Sequence, residues 1–490
     1  MYLPEWVLPF KEPRTEIRLI NGIYYKYQVE YKYNPSKKRT DKNTIRLLGK
    51  ISQQNGFTPS DKDIIRQKAS IIPKVDIKTF GVYNLFSTLI ADEIISFKAS
   101  FGETVGETIL SFAMMRWAYQ SPIKRVPNYH IHDFCSEFWL KNNISDKYIS
   151  NALKQVGENR EKLIEWMKSM LNAPETHSNK FVMMDSTHAT SLSEQLATNA
   201  RGYNPDHDYD RQVRLMYLFS AQLKQPVYFR LINGNITDSK SMSLCVREMN
   251  IKDVIYIADK GFFSAQNIRE LNQENLQYII PLHRNNKLID FGPLLKANFK
   301  KELKTYFIYQ ERVIWYYQYE RESVKLITFL DEKLQIKEES DYLQRIVSKP
   351  EEYSIEKYYE KLTGFGTLTH TYSIIENLNA DQIYQAYKQR NEIETMFDGY
   401  KNFLKADIMY MRDRNVLEGW LAANFIAMIA YYRLFTRLKN AKLLNNFSPK
   451  DIIETAKSIY KMKISGNWHL SEITVKTNDL FKKIEIGNLK

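Results

Sequence analysis

Residues 253–261 read DVIYIADKG and residues 180–186 read KFVMMDS. Each is a short apolar run closing on an acid, Asp259 in the first and Asp185 in the second. Runs of this length bounded by polar residues predict buried strands. Working outward, QVRLMYLFS (212–220) and PVYFRLI (226–232) predict a hairpin across AQLKQ. DSKSMSLCVREMN (238–250) predicts a helix, and FSAQNIRELNQEN (263–275) a second one capped by Ser264. LQYIIPLH (276–283) predicts a further buried strand. The order β-β-β-α-β-α-β predicts an α/β fold with a mixed sheet covered by helices.

Around this core the rhythm changes. Residues 1–175 predict a mainly helical region with a β-hairpin, in which IYYKYQVEYKY (23–33) alternates, NPSKKRTDKN turns and TIRLLGKI (44–51) returns. The first part of the core spans 176–290. TYFIYQERVIWYYQYERESVKLITFL (305–330) predicts antiparallel strands and marks 291–376 as a β-rich insertion subdomain. The second part, 377–440, opens with a long helix from Asn379, where Gln382 three residues on approximates a capping box. Residues 441–490 form a basic C-terminal region.

The 490 residues carry a formal net charge of +13, with pI ≈ 9.2. The excess is uneven: residues 1–50 sum to +6, residues 401–490 to +8, and the stretch between them to −1. Such ends favour a polyanion. Cys135 and Cys245 are the only cysteines, which excludes a disulfide framework or a cysteine-based zinc site. The N-terminus shows no signal peptide. The longest apolar stretch, Trp420–Tyr432, falls short of the ~20 residues a spanning helix needs. A cytoplasmic, nucleoid-associated protein with no membrane role is expected.

The chemistry sits in the acids. A carboxylate following a buried strand lies at the carboxyl edge of an α/β sheet, where sites form, and is costly to bury unless paired or bound to a metal. On the long helix, Tyr387, Arg390, Glu394 and Lys401 project within a stripe of about 60°, beside the apolar face of Ile393, Met396, Tyr400 and Leu404. Asp185, Asp259 and Glu394 together make an all-carboxylate set. Hard oxygen ligands suit Mg²⁺ or Mn²⁺, and two such ions can clamp an in-line phosphoryl displacement. Arg390 and Lys401 would hold flanking phosphates.

Tyr387-x2-Arg390-x3-Glu394-x6-Lys401 resembles the Y-R-E-K signature of the DDE transposases of bacterial insertion sequences, the IS-four type. Asp259-Lys260-Gly261-Phe262 is similar to that family's second-Asp motif, and Asp185-Ser186-Thr187 resembles the first. GYNPDHDYDRQV (202–213) and NGNITDS (233–239) resemble segments between the two aspartates. The resemblance covers roughly residues 178–435. It implies an RNase H-like core with an insertion before the glutamate. It also implies metal-dependent cutting of double-stranded DNA at terminal inverted repeats, then joining of the 3′-hydroxyl ends to target DNA in a synaptic homodimer. By the same resemblance Asp185, Asp259 and Glu394 are the catalytic, metal-binding triad, and Tyr387, Arg390 and Lys401 contact DNA ends. Asn391 departs from relatives that carry an aromatic after the signature arginine.

Lys260, beside Asp259, is a further DNA-binding candidate, with a solvated loop lysine as the alternative. Lys37, Lys38 and Arg39 at the hairpin tip are candidate phosphate contacts. Trp315 could stack an extruded base, against the plainer reading of a strand aromatic. Two other functions share these features: a Mg²⁺-dependent nuclease or resolvase, and a catalytically silent DNA-binding descendant.

Overall fold

The computed structural model describes residues 3–35, 38–71, 75–140, 144–171, 180–202, 210–249, 251, 253–373 and 378–487. They divide into two compact units, residues 1–77 with 462–469, and residues 78–461 with 470–490. In the first unit the predicted hairpin is part of a larger element. Strands Thr15–Ile20, Ile23–Asn34, Arg39–Ser52 and Gly56–Pro59 form a four-stranded antiparallel sheet in chain order.

The second unit is α/β, built on a mixed sheet. Its first five long strands are β1 (Phe181–Ser191), β2 (Arg211–Ser220), β3 (Gln225–Asn233), β4 (Ile255–Ala258) and β5 (Gln277–Pro281). They lie in the order β3-β2-β1-β4-β5. β1, β4 and β5 run parallel, and β2 is antiparallel to both neighbours. Parallel neighbours need crossover connections, and two helices supply the crossovers to β4 and β5.

The stretch read as an insertion continues the same sheet. β6 (Tyr306–Tyr309), β7 (Arg312–Arg321), β8 (Val324–Asp331) and β9 (Thr367–Tyr372) form an antiparallel series, and β9 pairs with β5 through Ile279↔Tyr372, Ile280↔Thr371 and Pro281↔His370. Local alternation shows each strand, but it does not show that the last returns to the core edge.

Helices pack around this frame: α1 (Glu103–Tyr119), α2 (Asp146–Glu158), α3 (Asp238–Met249), α4 (Ala265–Gln273), α5 (Ala380–Lys388), α6 (Asn391–Asp398) and α7 (Arg414–Asn440). Every residue of α7 from Leu417 to Ala430 is buried, so its apolar run is a core helix. No helix among the described residues is long and apolar enough to cross a membrane. The α2–α7 crossing depends on two glycines. A Cβ on Gly157 would lie 2.0 Å from the Asn415 carbonyl oxygen, and one on Gly419 2.1 Å from that of Leu153.

The helix expected to run unbroken from Asn379 is segmented. Its start is as expected, with a full capping box between Asn379 and Gln382. At Gln389–Arg390 the bonding tightens to three-residue spacing, with Arg390 N–H donating to Tyr387 and Ile393 N–H to Arg390. After α6 a π turn covers Gly399–Phe403, closed by Leu404 N–H donating to Gly399 O at 3.1 Å. The end of this turn is tied down by Arg116 of α1, only 5% exposed. Its guanidinium donates to Leu404 O (2.5 Å), Gln120 O (3.1 Å) and Asn424 Oδ1 (3.0 Å). Burial pulls the Arg116 pKa down to about 10, which leaves it charged at neutral pH. Arg116→Ala, which orphans two buried acceptors and opens a cavity, is expected to cost about 2–4 kcal/mol in urea unfolding, with partial recovery in Arg116→Lys.

Candidate functional site

Register brings the two aspartates together. β4 pairs in parallel with β1 from Ile255↔Phe181 to Ala258↔Met184, so Asp259 and Asp185 stand level on adjacent strands. One expectation is corrected here. Asp185 does not end its strand, because β1 runs on to Ser191, paired with β2 as far as Thr190↔Gln212. It lies at the sheet edge because β4, its parallel neighbour, stops beside it. The third parallel strand, β5, ends at the same level and passes into Leu282, His283 and Arg284.

The segmented helix delivers the other partners. Arg390, at the tightened step, reaches Asp185 Oδ2 at 3.5 Å and Asp259 Oδ1 at 3.6 Å through Nη1. Its Nη2 pairs with Glu394 one turn on. Three acids from two strands and a helix thus converge on one guanidinium. The arginine is 15% exposed, Asp185 20%, Asp259 32% and Glu394 52%, so the cluster opens toward solvent on the glutamate side. Burial alone would lower the Arg390 pKa; facing Asp259, Asp185 and Glu394 outweigh it and raise the value above normal. The Asp185 carboxylate also accepts from Ser186 N–H at 2.8 Å.

The donor set is all hard oxygen, which fits Mg²⁺ or Mn²⁺. Yet among the described residues no three acid, imidazole or thiol side chains are gathered closely enough to hold a metal by themselves. The guanidinium stands among the three acids. A divalent ion and Arg390 would therefore compete for the same carboxylates.

Tyr387, the first residue of the helical stripe, lies in the same cleft. Its pKa is raised, first by burial. Its ring packs edge-on against His370 of β9, with centroids 4.5 Å apart. A cleft of about 530 Å³ is lined by Asp259, Lys260, His283, Arg284, Tyr387 and Arg390, among others. Lys260 is exposed on its rim. Arg284 is held by Glu338 (3.0 Å) and Thr367 O (3.1 Å). His283, Arg284 and His370 were not singled out from sequence. The signal for the first two was the LHR that follows LQYIIP, a third buried strand with the same ending as the two that carry the aspartates.

Lys401 and Trp315 make no hydrogen bond or ion pair with the three acids among the described residues. Lys401 is half-buried in the π turn and makes no ion pair among the described residues. The i→i+5 turn carries an extra residue, so Lys401 leaves the stripe that regular helical geometry projects. Trp315 packs against Phe299 and Tyr306 and donates to Glu332 Oε2 at 3.2 Å, with no contact to the acids among the described residues. Lys38 and Arg39 are exposed in the first unit, and Arg39 pairs with Asp41 at 3.0 Å. Lys37 lies outside the described residues.

His370 gives the cleft a measurable pH signature. It is fully buried, both ring nitrogens lack hydrogen-bond partners among the described residues, and burial with the nearby Lys388 charge lowers its pKa to about 3. Unfolded histidine takes up its proton near pH 6.5. Between pH 6.5 and 3 the unfolded chain therefore binds the extra proton, and stability falls as pH falls. His370→Leu is expected to flatten the pH dependence of urea unfolding in that window.

The transposase DDE domain family matches residues 176–430, just over half the chain, and spans all three converging acids. No curated protein matches. Among solved structures, the chain is similar to the piggyBac transposase synaptic complex with hairpin DNA, at 10% identity over 77% of this chain and 79% of that one, with a TM-score of 0.41. The Mos1 transposase paired-end complex with left transposon end follows at 11% identity, 60% and 76% coverage and a TM-score of 0.16. Its match over residues 176–430 places the chain in the transposase DDE domain family.

Proposed function

We propose that this protein is a DNA transposase with an RNase H-like core, of the insertion-sequence branch carrying the Y-R-E-K signature. It would cut the terminal inverted repeats of its element and join their 3′-hydroxyl ends to target DNA. The observation that carries this reading is the convergence of Asp185, Asp259 and Glu394 on the Arg390 guanidinium at the sheet edge. The strand order β3-β2-β1-β4-β5 with one antiparallel member supports the RNase H-like assignment.

In this reading the three carboxylates would hold two Mg²⁺ or Mn²⁺ ions. When bound, the ions activate the attacking water or 3′-hydroxyl and stabilise the leaving oxygen. The chain's own groups bind and orient. Arg390, once ions took its place among the acids, would have its planar fork free for a phosphate at the DNA end. Tyr387 presents a hydroxyl whose raised pKa keeps it a donor across the physiological range. Lys260, His283 and Arg284 line the adjoining cleft and would seat the flanking backbone. Lys401, in its π turn and with no ion pair among the described residues, would reach phosphates farther out. Trp315 retains a proposed stacking role only if DNA draws it from its packed position. Catalysis in a homodimer would let each active site act on one element end.

The direct test is Glu394→Gln on duplexes carrying the element's ends. Cleavage in Mg²⁺ should fall by at least about 10³-fold, while binding measured in EDTA stays within about threefold of wild type. Full cleavage by the variant would remove Glu394 from the chemistry and the proposal with it.

A further inference from the structure

In the first unit, the strands Ile23–Asn34 and Arg39–Ser52 are longer than the sheet that holds them. Thr15–Ile20 pairs only as far as Gln28, and Gly56–Pro59 only from Gly49 onward. The last backbone tie at the root is the buried Val29, whose N–H donates to Arg14 O at 2.9 Å, beside a register shift at Gln28/Val29. Bulges of this kind bend and re-aim a strand. Beyond Val29, among the described residues, the two strands pair only with each other, and most of their residues are exposed. Five pairs lie beyond Val29, and at about 3.3 Å per residue they make an arm roughly 16 Å long.

Register sorts its side chains by face. Tyr31↔Lys42 and Tyr33↔Thr40 share one face, while Lys32↔Asp41 and Asn34↔Arg39 share the other. Tyr31 and Tyr33 are 58% and 61% exposed. A free two-stranded ribbon is marginally stable, and two bare aromatic rings on one face do nothing for its solubility. Asp41 is committed to Arg39 and Asn34, and Lys42 to Glu16, while Lys32 and Lys38 make no ion pair among the described residues. That charge repels a second copy of the same arm and suits a polyanion.

We infer that this arm enters the major groove of duplex DNA and reads sequence there. The major groove, about 12 Å wide and 8.5 Å deep, admits a two-stranded ribbon. In it, Tyr31 and Tyr33 meet base edges and thymine methyls, while Lys32 and Lys38 meet the phosphates on either side. This rests on the transposase reading for its partner but not on the catalytic site, so the two can fail separately.

The test uses the full chain in EDTA, where cutting is absent. Duplexes are first enriched from a random pool. An enriched duplex, its scrambled version and its 7-deazapurine version, which lacks the major-groove N7 acceptor, are then compared by anisotropy. Wild type should prefer the enriched duplex over both others by about 10-fold or more. Tyr31→Ala with Tyr33→Ala should erase most of that preference while the unfolding midpoint stays put. Lys38→Ala should weaken all three duplexes alike and reduce the salt slope by about one unit. The inference is overturned by no enrichment, by wild-type indifference to 7-deazapurine, or by undiminished preference in the tyrosine variant. It is also overturned if that variant alters only self-association in sedimentation. A chain that cuts DNA yet gives one of these results loses the arm and keeps the transposase reading. A chain that neither binds nor cuts loses both.

Discussion

Three acids and one arginine, drawn from two strands and a helix, share a single electrostatic knot. Carboxylates set this close repel one another, and desolvation adds to the cost unless a cation is near. Arg390 supplies it. Much of the second unit serves to hold that meeting point. Parallel register levels Asp185 with Asp259. The tightened step at residues 389–390 aims the guanidinium back at the strands. Arg116 and the glycine-mediated crossing of α2 with α7 fix the frame behind the helix. The same knot explains how such a carboxylate cluster persists as a folded, compact site: the arginine balances its charge.

The charge of the chain follows this division. The stretch between the basic ends sums to −1 because it concentrates the acids, and its cations are spent locally, as with Arg390 on the acids and Arg284 on Glu338. The first unit, by contrast, has cations left over on a projecting arm. Cutting and gripping would thus fall to different parts of one protein, with the cleft beside the acids holding the phosphates nearest the reaction.

Much of this was legible in the sequence, for identifiable reasons. Strand runs ending in acids, the β2–β3 hairpin, the Ser264 and Asn379 caps and the buried character of Trp420–Tyr432 are local patterns, and local patterns survive folding. What escaped depends on distant partners. Asp185 looked like a strand end because the apolar run stops there; β1 continues because β2 pairs with its polar half. The inserted strands looked separate because the β9–β5 pairing joins residues about 90 apart. The π turn at Gly399–Phe403, which meets Arg116 of α1 and Met428 and Tyr431 of α7, breaks the regular spacing on which the Lys401 projection rested. Arg116 and His370 gave no signal, since a buried charge or an unpaired imidazole is defined by its surroundings alone.

The central claim is that Asp185, Asp259 and Glu394 form one cation site shared with Arg390. Mn²⁺ titration followed by electron paramagnetic resonance tests it without DNA or turnover. The account predicts that Asp185→Asn, Asp259→Asn and Glu394→Gln each weaken Mn²⁺ binding by about 10-fold or more, and that Arg390→Ala strengthens it. Binding that is unchanged in any of the three acid variants, or weakened by loss of the arginine, would contradict it.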